Sequence, residues 1–290
     1  MAELLQFLVS GITQGAIYAL VGLGFAVIYN ASHVINFAQG EFVMIGGMAT
    51  VALISLGVPL PIAIMIAIIS AGAAGFALEK FAIGPAQGSS VVNLIIITIG
   101  ASIFLRGGAQ IIWDRNFHAL PAFSGDEPIN FLGAAILPQS LWVIGLMALI
   151  VLGLWGFFSH TKSGKAMLAT SFNPLAAKLV GINTRRVLQI SFVLAAALGA
   201  IAGILIAPIS LTYANVGIML GLKGFCAAIV GGLGKPFGAI AGGLVVGVAE
   251  ALTAGYISSA YKDAVAFVII IAVLMLLPNG LFGQAEIEKV

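Results

Sequence analysis

Nine stretches of mainly apolar residues follow one another along the chain, at 4–28, 35–56, 60–83, 91–113, 139–158, 187–208, 217–233, 237–256 and 264–282. Most approach the roughly 20 residues that a helix needs to cross the hydrocarbon core of a bilayer. The runs are continuous rather than alternating, which argues for helices and against a transmembrane β-barrel. Only 8% of the 290 residues are charged and 61% are hydrophobic, whereas soluble domains carry about 25% charged residues. So few charges cannot cover a soluble globule of this size. The expected fold is an all-α polytopic membrane protein of eight or nine transmembrane helices, forming one domain over 1–290. The run at 217–233 is short and rich in glycine, so a broken or re-entrant helix is expected there.

Two hydrophilic segments orient this bundle. Residues 159–186 carry Lys162, Lys165, Lys178, Arg185 and Arg186 and no acid, while 114–138 carry Asp114, Arg115, Asp126, Glu127 and three prolines. Lys and Arg accumulate in cytoplasmic loops. The basic loop is therefore placed in the cytoplasm and 114–138 outside. Five spans precede the basic loop, which puts the N-terminus outside; the side of the C-terminus depends on whether 217–233 crosses. The opening MAELLQFLV has no basic n-region, so the first span is expected to be retained rather than cleaved as a signal peptide.

Small residues recur every fourth position in three places: Gly11, Gly15 and Ala19; Ala195, Gly199, Gly203 and Ala207; and Ala239, Gly243, Gly247 and Ala251. Each is a helix face against which another backbone can pack closely. Ordinary bundle packing accounts for such faces, and a subunit interface or a sliding gate is the sharper alternative.

Charges inside the apolar runs are few. A carboxylate at the bilayer centre costs about 2.5–3.5 kcal/mol on insertion scales and usually faces the bundle interior or a wet cavity. Glu41 lies near the start of the second run, after Asn36 and Gln39, which implies a shallow position. The three do not share one narrow helical stripe, and Gly40 leaves room for distorted backbone there. Glu41 can be read as a structural acceptor, as part of a translocation route or its inner gate, or as a proton-coupling group. Arg106, Lys223 and Glu250 are the other deep charges, and pairing of Glu250 with either cation would neutralise both. Arg106 can instead snorkel to the outer interface near Trp113.

Enzyme chemistry finds little support. His33, His118 and His160 lie far apart and form no HExxH, there is no GxSxG elbow, and the lone Cys226 excludes an internal disulfide and a metal cluster. No basic block suggests a nucleic-acid partner. Gly234-Lys235 is followed by Pro236 and Gly164-Lys165 by Ala166, so neither is a phosphate-binding P-loop.

The basic loop contains NPLAAKLVGINTRRV, residues 173–187. Asn173 suits a helix N-cap, Pro174 the first helical position and Gly181 the left-handed C-terminal position. The result is a helix of about two turns, too short to stand alone, with Leu175 and Leu179 one turn apart as its apolar contact. An incidental turn in a basic loop and a docking element for a cytosolic partner are both consistent with this pattern.

This stretch resembles the coupling loop of ABC importer permeases, in which alanines (Ala176 and Ala177) precede a glycine (Gly181); the glutamate that opens the motif in many importers is absent. GAIYALVGLGFAVIYNASHVINFAQGEFVMIGG (15–47), IVGGLGKPFGAIAGG and LLPNGLFG are similar to the high-affinity branched-chain amino acid permeases of the LivH type. The resemblance implies an inner-membrane permease subunit in a bacterial importer. Its implied partners are a second permease subunit, for which a paralogue is favoured, two cytosolic ATPases that hold ATP and Mg, and a periplasmic binding protein that does most of the selecting. No cofactor is expected in this chain. The same machine for urea, an amide or an aromatic acid is one alternative. A proton-coupled secondary transporter using Glu41 or Glu250 is another, and a non-transporting receptor or scaffold a third.

Overall fold

The structure, a computed structural model, describes residues 2–283. Eleven α-helices carry the fold: α1 (Ala2–Ser32), α2 (Gln39–Ser55), α3 (Leu60–Leu78), α4 (Val91–Ile112), α5 (Pro138–His160), α6 (Lys162–Phe172), α7 (Pro174–Leu179), α8 (Thr184–Ser210), α9 (Val216–Gly231), α10 (Pro236–Tyr256) and α11 (Lys262–Leu276). A two-stranded hairpin, β1 (Ile129–Phe131) and β2 (Ala134–Ile136), lies before α5. Seven helices are long and apolar enough to cross a membrane, and α2 and α9 are shorter apolar helices. The chain is thus an all-α, multi-pass membrane protein.

The two long inner helices, α1 and α8, are buried along most of their lengths. α4, α5 and α11 form the periphery and expose side chains such as Phe104, Leu149 and Met275, as expected of surfaces solvated by lipid or by another apolar chain. Close packing at the centre depends on the small-residue stripes. A β-carbon on Gly11 would lie 2.7 Å from Cα of Val248, and one on Gly243 would lie 2.5 Å from N of Ala19. The first and third stripes therefore face each other, joining α1 to α10. The middle stripe packs on α2, where a β-carbon on Gly199 would meet Cβ of Phe42 at 2.9 Å. All three stripes are used within the chain, as packing faces.

The contacts at the ends of the helices sort the connections into two faces. Ala2 packs against Gly133 of the hairpin. Thr212, between α8 and α9, exchanges backbone hydrogen bonds of 2.8 and 2.9 Å with His118. The N-terminus, 114–138 and the α8–α9 connection therefore share one face. On the other face, α6 lies beside the start of α10, with Leu168 near Phe237 and Trp155. The C-terminal turn donates there to the last carbonyls of α9, from Leu281 to Val230 at 2.9 Å and from Phe282 to Gly231 at 3.1 Å. The described C-terminal residues thus lie on the face of the basic segment, opposite the N-terminus. α9 runs from one face to the other as an unbroken helix over 216–231, contrary to the broken or re-entrant segment expected from its glycines. Those glycines serve close contact instead: a β-carbon on Gly221 would lie 3.0 Å from Cα of Gly40.

The packing predicts an asymmetry among glycines. Overpacking a tight interior typically costs about 1–3 kcal/mol. Gly243→Leu should therefore markedly lower the thermal unfolding midpoint of the purified chain in detergent. Gly153→Leu, at a position with no neighbour within 4 Å, should leave the midpoint unchanged. Static light scattering against a temperature ramp checks both.

Candidate functional site

The second apolar run does not begin as a helix. α1 stops at Ser32, residues 33–38 follow as bends, turns and extended chain, and α2 starts at Gln39. The start of α2 is nonetheless deep. Gln39 donates from Nε2 to the carbonyl of Ala195 at 2.9 Å, well inside α8. The Ser102 hydroxyl donates to Oε1 of Glu41 at 2.8 Å, and Ser102 sits halfway along α4. Glu41 is therefore near the middle of the bundle, and the shallow position inferred from its place in the run is wrong. Counting 1.5 Å per residue along the run fails because the first residues of that run are not helical.

Irregular backbone at membrane depth is tolerated only where protein buries it or where it lines a cavity, and its polar groups then need partners. Asn36 accepts from the Ala38 amide through Oδ1 at 3.1 Å, and Thr98 Oγ1 accepts from the Phe37 amide at 3.2 Å. These two side chains supply hydrogen bonds that a helical ladder would have supplied, while Gln39 ties the start of α2 to α8. Glu41 lies in the first turn of α2, where the helix dipole favours negative charge. Gly40 does not distort the helix; it admits the backbone of Gly217 and Gly221 from α9.

A cavity of about 240 Å³ is lined by Glu41, Ser102 and Arg106 together with apolar residues that include Phe25, Phe37 and Phe225. Glu41 is only 2% exposed, and its Oε2 has no hydrogen-bond partner among the described residues. Arg106 stands one helical turn beyond Ser102 on α4. Among the described residues it forms no ion pair with Glu250, so that alternative fails.

Glu250 pairs with Lys223 instead. Lys223 Nζ lies 2.6 Å from Glu250 Oε1 and 2.6 Å from Asp263 Oδ1. The Tyr18 hydroxyl donates to Glu250 Oε2 at 2.8 Å. One ammonium thus ties α9, α10 and α11 together, and Tyr18 adds α1. The sequence reading missed Tyr18 and Asp263, because nothing in their spacing announces a partner so distant in the chain. It also missed Glu79, which is fully buried in the π-helical turn Glu79–Ile83 that ends α3. Gln189 and Arg185 of α8 stand beside it. The signal was present, since Glu79 and Lys80 interrupt the third apolar run.

On the basic face, α7 forms as its sequence implies. Asn173 Oδ1 accepts from the amides of Leu175 and Ala176, both at 3.0 Å, and Pro174 occupies the first helical position. Gly181 has φ of +87°. Its amide donates to the carbonyl of Lys178 and that of Ile182 to the carbonyl of Ala177, each at 3.0 Å, which is a Schellman C-cap. The contact with the rest of the chain is not the one expected from the leucines. Ala177 is buried, whereas Leu175 is 73% and Leu179 88% exposed. The short helix turns its alanine inward and its leucines outward.

Residues 7–274 match the family described as branched-chain amino acid transport system / permease component. The chain belongs to that family. It is 36% identical to the high-affinity branched-chain amino acid transport system permease protein LivH of Salmonella typhimurium, over 99% of this chain and 97% of the relative. It is 35% identical to the corresponding protein BraD of Pseudomonas aeruginosa, over 99% and 98% of the two chains. Among solved structures, PsaBC from Streptococcus pneumoniae in complex with Fab matches with a TM-score of 0.52 at 18% identity, covering 96% of this chain and 93% of that one. That likeness concerns the fold alone.

The Lys223 cluster yields a stability prediction for this permease. Removing one partner of a buried ion pair costs about 3–5 kcal/mol, so Lys223→Ala should severely destabilise the chain. Asp263→Asn should cost much less, because that side chain is 44% exposed and solvent screens its contribution. Thermal unfolding of the two variants in the same detergent compares them.

Proposed function

We propose that this chain is the membrane-spanning permease subunit of an ATP-driven importer for branched-chain amino acids. The observation that carries the coupling role is α7: a doubly capped helix on the basic face that presents two exposed leucines away from its own chain. A surface of that kind fits insertion into a groove on a cytosolic subunit, much as other short helices dock by apolar anchors. The near full-length identity to the permease proteins named for branched-chain amino acids supports the substrate class.

In this reading the basic face is cytoplasmic, and the N-terminus lies on the periplasmic side of a bacterial inner membrane. The working assembly contains a second permease subunit, a paralogue, together with two ATPases that bind ATP and Mg and a periplasmic binding protein. Movement of the ATPases displaces Asn173–Gly181. α7 is joined to α6 through Asn173 and to α8 through residues 180–183, so the displacement passes into the packed spans and exposes the pathway alternately to each side. Asn36, Gln39 and Glu41 stand along that pathway, where α2 begins. Lys223 and Glu250 keep α9 and α10 together while the spans move.

Leu179→Asp should abolish association with the ATPase subunits and leave the unfolding midpoint of the isolated permease unchanged, because the side chain touches little of its own chain. Gly181→Pro, which cannot adopt φ of +87°, should remove substrate-stimulated ATP hydrolysis by the assembled complex while leaving the protein in the membrane. Affinity purification with coexpressed partners, followed by phosphate-release assays, checks both. Retained association and normal stimulation would reject the docking role of α7.

A further inference from the structure

The cavity at the start of α2 brings one anionic group and one cationic group to the same apolar chamber. Glu41 offers, from a buried position, a carboxylate oxygen with no partner among the described residues. Arg106 lines the same cavity, one turn from the Ser102 that holds the other oxygen of Glu41. The lining also includes three aromatic side chains, Phe25, Phe37 and Phe225. Glu41 is buried and Arg106 half-buried, and a buried charge without full pairing is costly. A structure that needed only a pinned helix would be served as well by a neutral acceptor at position 41 and no cation at position 106.

We propose that this cavity is an intramembrane site for the zwitterionic backbone of a small apolar amino acid. Glu41 Oε2 accepts from the α-ammonium, the Arg106 guanidinium donates to the α-carboxylate, and the aromatic lining receives the aliphatic side chain. Ser102 is a positioning residue, because its hydroxyl fixes the carboxylate of Glu41. Guanidinium suits this role, since its planar fork matches a carboxylate. The volume, about 240 Å³, lies below the roughly 300–1,000 Å³ typical of drug-sized ligand pockets, which suits a molecule of amino-acid size. Thr98 Oγ1 and Gln39 Nε2 are engaged with backbone, while Gln39 Oε1 and Asn36 Nδ2, which have no partner among the described residues, belong to side chains that do not line the cavity.

The inference rests on the amino acid reading given under Proposed function, and the test separates the two. The complex, assembled with its partners in proteoliposomes, is assayed for uptake of L-leucine. Wild type should import leucine. Glu41→Gln and Arg106→Gln should each reduce the apparent affinity by about tenfold to a hundredfold, the loss expected for a hydrogen bond to a charged group.

A second measurement does not depend on those variants folding. With Cys226 replaced by Ala, the variant Ile99→Cys, on the cavity wall, should react with a small thiol reagent and be protected by L-leucine. It should not be protected by 3-methylbutan-1-amine, which lacks the carboxylate, or by 4-methyl-2-oxopentanoate, which lacks the ammonium. Leucine import that is equal in wild type and both charge variants, or thiol labelling of the Ile99→Cys variant that is indifferent to leucine, would overturn the site and leave the importer reading standing. A wild-type complex that imports no branched-chain amino acid would overturn the importer reading itself, and this site with it.

Discussion

The architecture depends on how the chain enters α2. A membrane span that starts in mid-bundle leaves several backbone groups without a helical partner, in surroundings where water cannot reach them. The cost of each unpaired group is comparable to a lost hydrogen bond. Asn36 and Thr98 remove that cost by accepting from the amides of Ala38 and Phe37, and Gln39 donates to the Ala195 carbonyl of α8. Because those bonds reach α4 and α8, they also fix where the start of α2 lies relative to both helices. The position of Glu41, its bond to Ser102 and the shape of the cavity beside it all follow.

Glycine is the second condition. α2 can sit so deep only because α9 crosses it where Gly40 meets Gly217 and Gly221, and because Gly199 and Gly203 let α8 approach from another side. In lipid there is no hydrophobic force between helices, and close backbone packing has to hold the bundle. The α1–α10 contact does the same on the far side of α1. The central helices are thus held rigidly, while α4, α5 and α11 remain at the edge. The cavity lies between the two populations, lined by residues of α2 and α9 and of the peripheral α4.

Much of this was legible in the sequence. The nine apolar runs correspond to nine helices, and the caps of α7 were readable residue by residue, because both depend on local periodicity and short-range hydrogen bonds. The small-residue stripes showed which faces pack closely without showing that the first and third face each other. What resisted reading was non-local. Residues 35–38 look like part of a span by hydropathy, yet they are not helical. Lys223 pairs with two carboxylates, and the one at Asp263 sits 40 residues away. Leu175 and Leu179 look like the buried side of a helix, yet Ala177 is the buried residue. In each case the deciding partner lies on another element.

If ATP hydrolysis on partner subunits drives an amino acid through this chain, the energy source for uptake is the quantity to measure. Leucine uptake into proteoliposomes containing the full complex and the binding protein measures it, with ATP and an imposed proton gradient supplied separately. Uptake should require ATP and the binding protein, and it should persist when the proton gradient is collapsed. Uptake driven by the proton gradient alone, without ATP, would contradict the importer mechanism.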